Sequence, residues 1–438
     1  MPTPTGAEPR LVAARAAAAV LDQGRALDEA LGDDLGKLAS ARDRSLARRL
    51  ANDLMRDWPA AQFLITQLVQ RRPARRDRLV HLILAVALVE LRQAREPAHA
   101  VVNAAVESAK CAGLGHLRGL VNAVLRSYQR QRDELEAAML SDPVYRFGYP
   151  AWLVERVRSD WPADWEQILT AGNASPPLWL RVNRRRWSVD QARRTLADAG
   201  LDTQTVAGLP DALLLARRAA IGQLPGFDDG RLSIQDGAAQ ATVEYLQLQP
   251  GLRVLDACSA PGGKSAHVLE REDVDLTALE IDPQRLASVA TTFNRLGLSA
   301  RTIAGDAAKP DAWWDQLPYD RILIDAPCSA SGVIRRHPDI RWLRRASDLA
   351  ELVRLQGQML DALWPLLKPG GILVYATCSI FKAENDAQAQ RFLEQHADAR
   401  TLHFDGLPGQ AQTLGRQVLP GQEDMDGFYH LAVERLRG

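Results

Sequence analysis

Two of the four cysteines in this 438-residue chain stand in matching settings. Cys378 ends the apolar run of VYATCS and Cys328 ends that of ILIDAPCS, each where a strand should stop and a loop begin. A free cysteine is often only a small buried hydrophobe. That is the reading for Cys111, which lies in a helical stretch. Cys258 falls in a glycine-rich loop, where packing or backbone contact is the expectation. Cys328 and Cys378 are the candidates for chemistry, because a thiol is partly ionised near neutrality, attacks well and leaves readily. Zinc is a poor alternative: there is no CxxC pair and no paired histidine motif. The scattered cysteines form no disulfide framework, so a reducing cytoplasm is expected.

The residues around them suggest what the thiols act beside. DACSAPGGKS (256–265) closes one apolar run, and its glycines let backbone approach a ligand at the start of the next helix. Glu280 ends the following run, where a carboxylate can bind both hydroxyls of a ribose. Gly305-Asp306 follows a third run, and Asp325 ends a fourth. Gly263-Lys264-Ser265 imitates a P-loop, but the glycine required six residues before the lysine is Cys258. The GxGxxG of a nicotinamide fold is absent. A glycine-rich loop with an acid after each of the next two strands suits S-adenosylmethionine. A nucleoside triphosphatase and a non-catalytic RNA-binding assembly factor are the competing readings.

A thiol beside a methyl donor suggests one reaction. C5 of cytosine is too weak a nucleophile to take a methyl group unaided. Addition of a thiolate at C6 makes C5 enamine-like, and loss of the C5 proton later expels the thiol.

Such residues need a sheet to hold them. LRVLDA (252–257), DLTALEI (275–281), ARTIA (300–304), YDRILIDA (319–326) and GILVYAT (371–377) are short apolar runs separated mostly by helical segments. In DPQRLASVATTFNRLG, Asp282 is the expected N-cap, Pro283 opens the first turn and Gly297 follows the last. Alternation of this kind predicts an α/β doubly wound, mostly parallel Rossmann-like sheet over 236–438, with ligands beyond the carboxyl ends of its strands. Residues 1–140 predict an all-helical bundle, broken at Gly32, Pro73, Pro97 and Gly113-Leu114-Gly115. SDPVYRFGYP (141–150) has linker composition. The rest of 141–235 predicts a small α+β module, so the chain is multidomain.

The net charge of zero hides an asymmetry. Residues 1–140 carry 21 Lys/Arg against 16 Asp/Glu, leaving 33 against 38 in the remainder. RRPARRDR (71–78) and RVNRRRW (181–187) concentrate the positive charge, and Arg184, Arg185 and Arg186 are the candidate RNA contacts. A solvated helix face is the bland alternative. The longest apolar run, 79–91, is too short and too interrupted to span a membrane.

DACSAPGGKS, DAPCSASGVIRRHPDIRW and YATCS resemble the RNA cytosine-C5 methyltransferase family. The order of helical domain, middle module and catalytic sheet is similar to its bacterial Fmu/Sun branch, whose N-terminal domain resembles the RNA-binding fold of NusB. The resemblance implies small-subunit ribosomal RNA as partner, cytosine 967 as target, no metal and a monomer. It implies Cys378 as nucleophile and Cys328 as the residue assisting product release. It also implies contacts to S-adenosylmethionine from Cys258, Ser259, Ala260, Pro261, Gly262, Gly263, Lys264, Glu280, Asp306 and Asp325. Two departures from the pattern are Glu280, where aspartate is commoner, and Lys382, where proline often follows; Glu384-Asn385 keep the rest of that motif.

Overall fold

The computed structural model describes residues 6–69 and 77–437. The chain divides into two compact units, Met1–Asn173 with Arg336–Ala346, and Ala174–Arg335 with Ser347–Gly438. Most of the RRPARRDR cluster lies outside the described residues.

The first unit is helical. Its core is the apolar helix Arg78–Gln93, buried from Leu82 to Leu91. The alanine-rich helix Ala7–Gln23 packs against it through Leu11, Ala14 and Ala17. Two charges survive in that core because they satisfy each other: Arg10 donates to both oxygens of Glu90, at 2.6 and 2.7 Å. The expected break at Gly32 does not occur. That glycine lies inside the helix Leu27–Leu35, on an exposed face where it costs only intrinsic propensity. Pro97 and Gly113 do flank a helix, Ala98–Cys111, with Gly113 at φ +76°. Cys111 is exposed at the end of that helix, not the buried hydrophobe expected. Pro73 lies outside the described residues. Within 141–150 the chain folds as a short helix, Pro143–Phe147, capped by Asp142, and buries Phe147 and Tyr149.

Arg336–Ala346 completes this unit from far along the sequence. Arg341 is almost fully buried. It donates to the carbonyls of Arg56 (3.1 Å), Gly148 (3.0 Å) and Gly172 (2.9 Å) and to Asn173 Oδ1 (2.7 Å). Its guanidinium lies 3.7 Å from the ring centroid of Tyr149, and burial pulls its pKa down to about 10.

The second unit holds two sheets. A small antiparallel sheet contains β1 (Trp179–Val182), β2 (Thr203–Val206), β3 (Leu209–Leu215) and β4 (Leu232–Ile234), in the order β2-β3-β1-β4. The large sheet begins with β5 (Arg253–Asp256), β6 (Asp275–Glu280), β7 (Arg301–Ala304), β8 (Tyr319–Asp325) and β9 (Leu367–Thr377). These five run parallel in the order β9-β8-β5-β6-β7. Helices Gly263–Arg271 and Pro283–Leu296 pack on one face, and Asp348–Leu363 and Asp386–Gln395 on the other. This is the expected doubly wound, Rossmann-like arrangement. Asp282 caps Pro283–Leu296 by accepting from the Gln284 amide, and Gly297 ends it at φ +66°.

The sheet does not stop at β9, as the apolar runs alone suggested. β10 (Ala399–Leu402), β11 (Gln410–Ala411), β12 (Arg416–Val418) and β13 (Phe428–Arg435) extend it, with β13 antiparallel to β9. The sheet is therefore mixed.

Candidate active site

The carboxyl ends of β5, β6, β7, β8 and β9 surround a cavity of about 260 Å³. Cys258, Ala260, Glu280 and Asp306 line one part of it. Asp325, Cys328 and Cys378 line another. Ser259, Pro261, Gly262, Gly263 and Lys264 are not among the residues that line it. The Ser259 amide donates to the Leu279 carbonyl at 2.9 Å, and Gly262 turns the chain at φ +96° into helix Gly263–Arg271. A Cβ on Gly262 would stand 3.2 Å from the Val289 backbone. Lys264 instead spans to β8, with Nζ 2.6 Å from Asp325 Oδ2. Burial alone would lower the Lys264 pKa; the Asp325 carboxylate outweighs it and holds the ammonium charged.

The acidic end is built from backbone as much as side chain. Glu280 is buried and accepts from the amides of Ala260 (3.3 Å) and Asp282 (3.2 Å), which fixes its carboxylate and leaves lone pairs for a ligand. Gly305 is required beside it, since a Cβ there would meet the Trp313 ring at 2.9 Å. Asp306 Oδ1 accepts from the Ala308 amide at 3.0 Å. Buried Asp256 lies behind this wall, its pKa pushed up to about 6 by burial, and accepts from Ser265 Oγ at 2.5 Å. A fixed carboxylate for a ribose diol, a cleft with apolar wall and further carboxylates for a cationic centre fit S-adenosylmethionine. Arg285, Leu355 and Met359 also line the cavity. Leu355 and Met359 carried no signal in the sequence, because each sits on a helix face that only the packed fold turns inward, while Arg285 stays exposed at the rim, 3.5 Å from Glu280 Oε1.

The two thiols meet. Cys328 Sγ lies 3.4 Å from Cys378 Sγ, both residues standing beyond the carboxyl ends of the adjacent parallel strands β8 and β9. The hydrogen bond with Cys378, then burial, pushes the Cys328 thiol well above its ordinary pKa. Burial does the same to Cys258. The Cys328 thiol is thus disposed to keep its proton beside Cys378.

The three exposed arginines lie away from this cavity. Arg184 pairs with Asp211, Arg185 donates to the Glu272 carbonyl (3.2 Å), and Arg186 donates to the Asp229 carbonyl.

Comparison with known proteins agrees with this arrangement. Residues 243–434 match the model of the 16S rRNA methyltransferase RsmB/F family, 149–222 its ferredoxin-like domain, and 7–130 the NusB family. The ribosomal RNA small subunit methyltransferase B of Vibrio cholerae is 44% identical over 97% of this chain and 97% of its own. The crystal structure of PH0851 shares the fold over 98% of this chain and 99% of that one, with a TM-score of 0.81 at 23% identity. A methyltransferase homolog protein from Pyrococcus horikoshii covers 68% of this chain and 99% of its own, at 27% identity and a TM-score of 0.60. With relatives this similar along nearly its whole length and its catalytic sheet matched by the family model, the chain belongs to the RsmB/F family of 16S rRNA methyltransferases.

Proposed function

We propose that this protein methylates C5 of one cytosine in 16S ribosomal RNA, the cytosine named above from the resemblance, through a covalent bond between Cys378 and C6. The contact that carries the reading is the 3.4 Å approach of Cys328 and Cys378 at one end of the cavity that Glu280 and Asp306 also line. S-adenosylmethionine supplies the methyl group. Cys378 adds to C6, forming an S–C bond and placing the electron pair at C5, where the methyl group is accepted. Solvent then takes the C5 proton, the C5–H electron pair re-forms the C5–C6 double bond, and the S–C6 bond breaks with its pair returning to the Cys378 sulfur. Cys328, held protonated beside Cys378, stabilises the sulfur as it attacks and as it leaves. Cys258, Ala260, Glu280 and Asp306 hold the cofactor, with Asp325 at the boundary between cofactor and base. Ser259, Pro261, Gly262, Gly263 and Lys264 contribute by fixing that loop. Arg184, Arg185 and Arg186 contact RNA phosphates.

The test is tritiated methyl transfer to unmodified small-subunit RNA, with a denaturing gel for protein–RNA adducts. Cys378→Ala should give neither product nor adduct. Cys328→Ala should accumulate an adduct that survives the gel. The reverse pattern would make Cys328 the nucleophile, and full activity of both variants would sink thiol catalysis. Bisulfite sequencing of the product RNA identifies the base.

A further inference from the structure

Glu384 lies in the turn after β9, and its side chain is completely buried. Its carboxylate reaches both cysteine loops at once. Oε1 accepts from the backbone amide of Ser329, the residue after Cys328, at 2.8 Å. Oε2 accepts from the hydroxyl of Ser379, the residue after Cys378, at 2.5 Å. Gln356, on the helix that lines the cavity with Leu355 and Met359, donates to Oε1 at 3.1 Å and to the Pro327 carbonyl at 2.9 Å. The hydroxyls of Ser329, Ser331 and Ser379 lie within 3.0–3.2 Å of one another. Ser331 and Ser379 then accept from the amides of Ile380 and Phe381, each at 3.0 Å. Among the described residues the donors to the carboxylate are neutral, and two of the three belong to residues adjacent to the thiols.

We propose that Glu384 is a positioning residue for catalysis, whose carboxylate sets the separation of the two sulfurs by tying together the residues that follow them. The proposal rests on both cysteines taking part in the reaction, as argued above. Two loops from different strands have no covalent reason to hold their sulfurs in contact; a shared acceptor supplies one. Its carboxylate also adds to what holds the Cys328 thiol above its ordinary pKa. The other charged groups near the pair are Lys264 and Asp325, already joined to each other.

Glu384→Gln preserves shape but presents an amide NH₂ where a second acceptor is needed. We expect kcat to fall about 100-fold, the scale of an ångström-level misplacement, with KM for RNA and Kd for S-adenosylmethionine changed less than about twofold. The pH midpoint for iodoacetamide alkylation of Cys328, read by mass spectrometry, should move down as the nearby charge is lost. Ser379→Ala, which removes one spoke and is structurally milder, should show the same split at about tenfold. Should Glu384→Gln not fold, Ser379→Ala decides alone. Unchanged kcat and midpoint, or loss of cofactor binding in step with kcat, overturns the proposal. Cys378→Ala and Cys328→Ala run beside them: full activity there condemns the thiol mechanism, whereas inactive cysteine variants with an unimpaired Glu384→Gln condemn only the positioning role.

Discussion

Arg181 of β1 and Glu270 of the helix after the glycine-rich loop form a fully buried, two-pronged ion pair, with N–O distances of 2.8 and 3.0 Å. A further Arg181 nitrogen donates to the Gly263 carbonyl at 2.6 Å. Trp179, Leu209 and Ala212 of the small sheet share a core with Val254, Leu276 and Val374 of the large one. The small sheet and the glycine-rich loop are thus one body. Glu270→Ala strands a buried guanidinium and should destabilise this unit by about 3–5 kcal/mol in urea unfolding. A loss below about 1 kcal/mol would show that water reaches the pair.

Glu280→Ala should weaken S-adenosylmethionine binding by about tenfold or more, since hydrogen bonds to a charged acceptor contribute roughly 1.5–3 kcal/mol. Calorimetry checks it. Unchanged affinity removes Glu280 from the ribose site.

RNA affinity should fall steeply with salt. Changing Arg184, Arg185 and Arg186 together to glutamine should flatten the log–log salt slope by about 2–3, while lysine in their place keeps the slope. Each arginine also serves a neighbouring oxygen of its own chain, so a stability loss without any change in slope assigns the cluster to structure alone. Cofactor binding should remain intact in both variants.

Acid should destabilise the catalytic unit through two histidines. Burial first, then neighbouring cationic groups, lowers His267 to about 4 and His430 to about 3, from an ordinary 6.5. The unfolded chain takes up these protons near pH 6.5 while the folded chain refuses them until about 4 and 3. The stability they contribute is complete above pH 6.5 and is lost as pH falls toward 4. Two protons give a slope of at most about 2.7 kcal/mol per pH unit. Urea midpoints at pH 7 and 5.5 measure it, and His267→Gln should flatten the fall. A midpoint independent of pH in this window contradicts the assignment.

The parallel strands were legible because each is a short apolar run closed by a residue that breaks it, and Pro283–Leu296 because its cap, proline and glycine stand in order. The meeting of Cys328 and Cys378 followed from placing them beyond neighbouring strands. β13 escaped for a physical reason: Phe428 to Val433 is buried on both faces, with Tyr429 and His430 inside the run, so neither alternation nor plain hydrophobicity marks it. Glu384 was visible as part of the motif after YATCS, but not its place in the fold, because a glutamate in a turn ordinarily faces water. Only the fold shows that three donors converge on it. Arg341 was visible as part of a family-like stretch, yet nothing local told that its partners lie near residues 56, 148 and 172.

Arg341 also bears on the order in which the protein can be made. It follows Cys328 by thirteen residues in the sequence, yet it fills a place in the helical unit. A ribosome that has finished Asn173 has produced most of that unit but not the guanidinium for which three carbonyls and the Asn173 amide oxygen are arranged. The unit becomes whole only after the loop carrying Cys328 has emerged, so the two halves of the protein mature interleaved, not one after the other. A helical domain excised at residue 173, or transplanted onto another enzyme, would have to bring residues 336–346 with it to be complete.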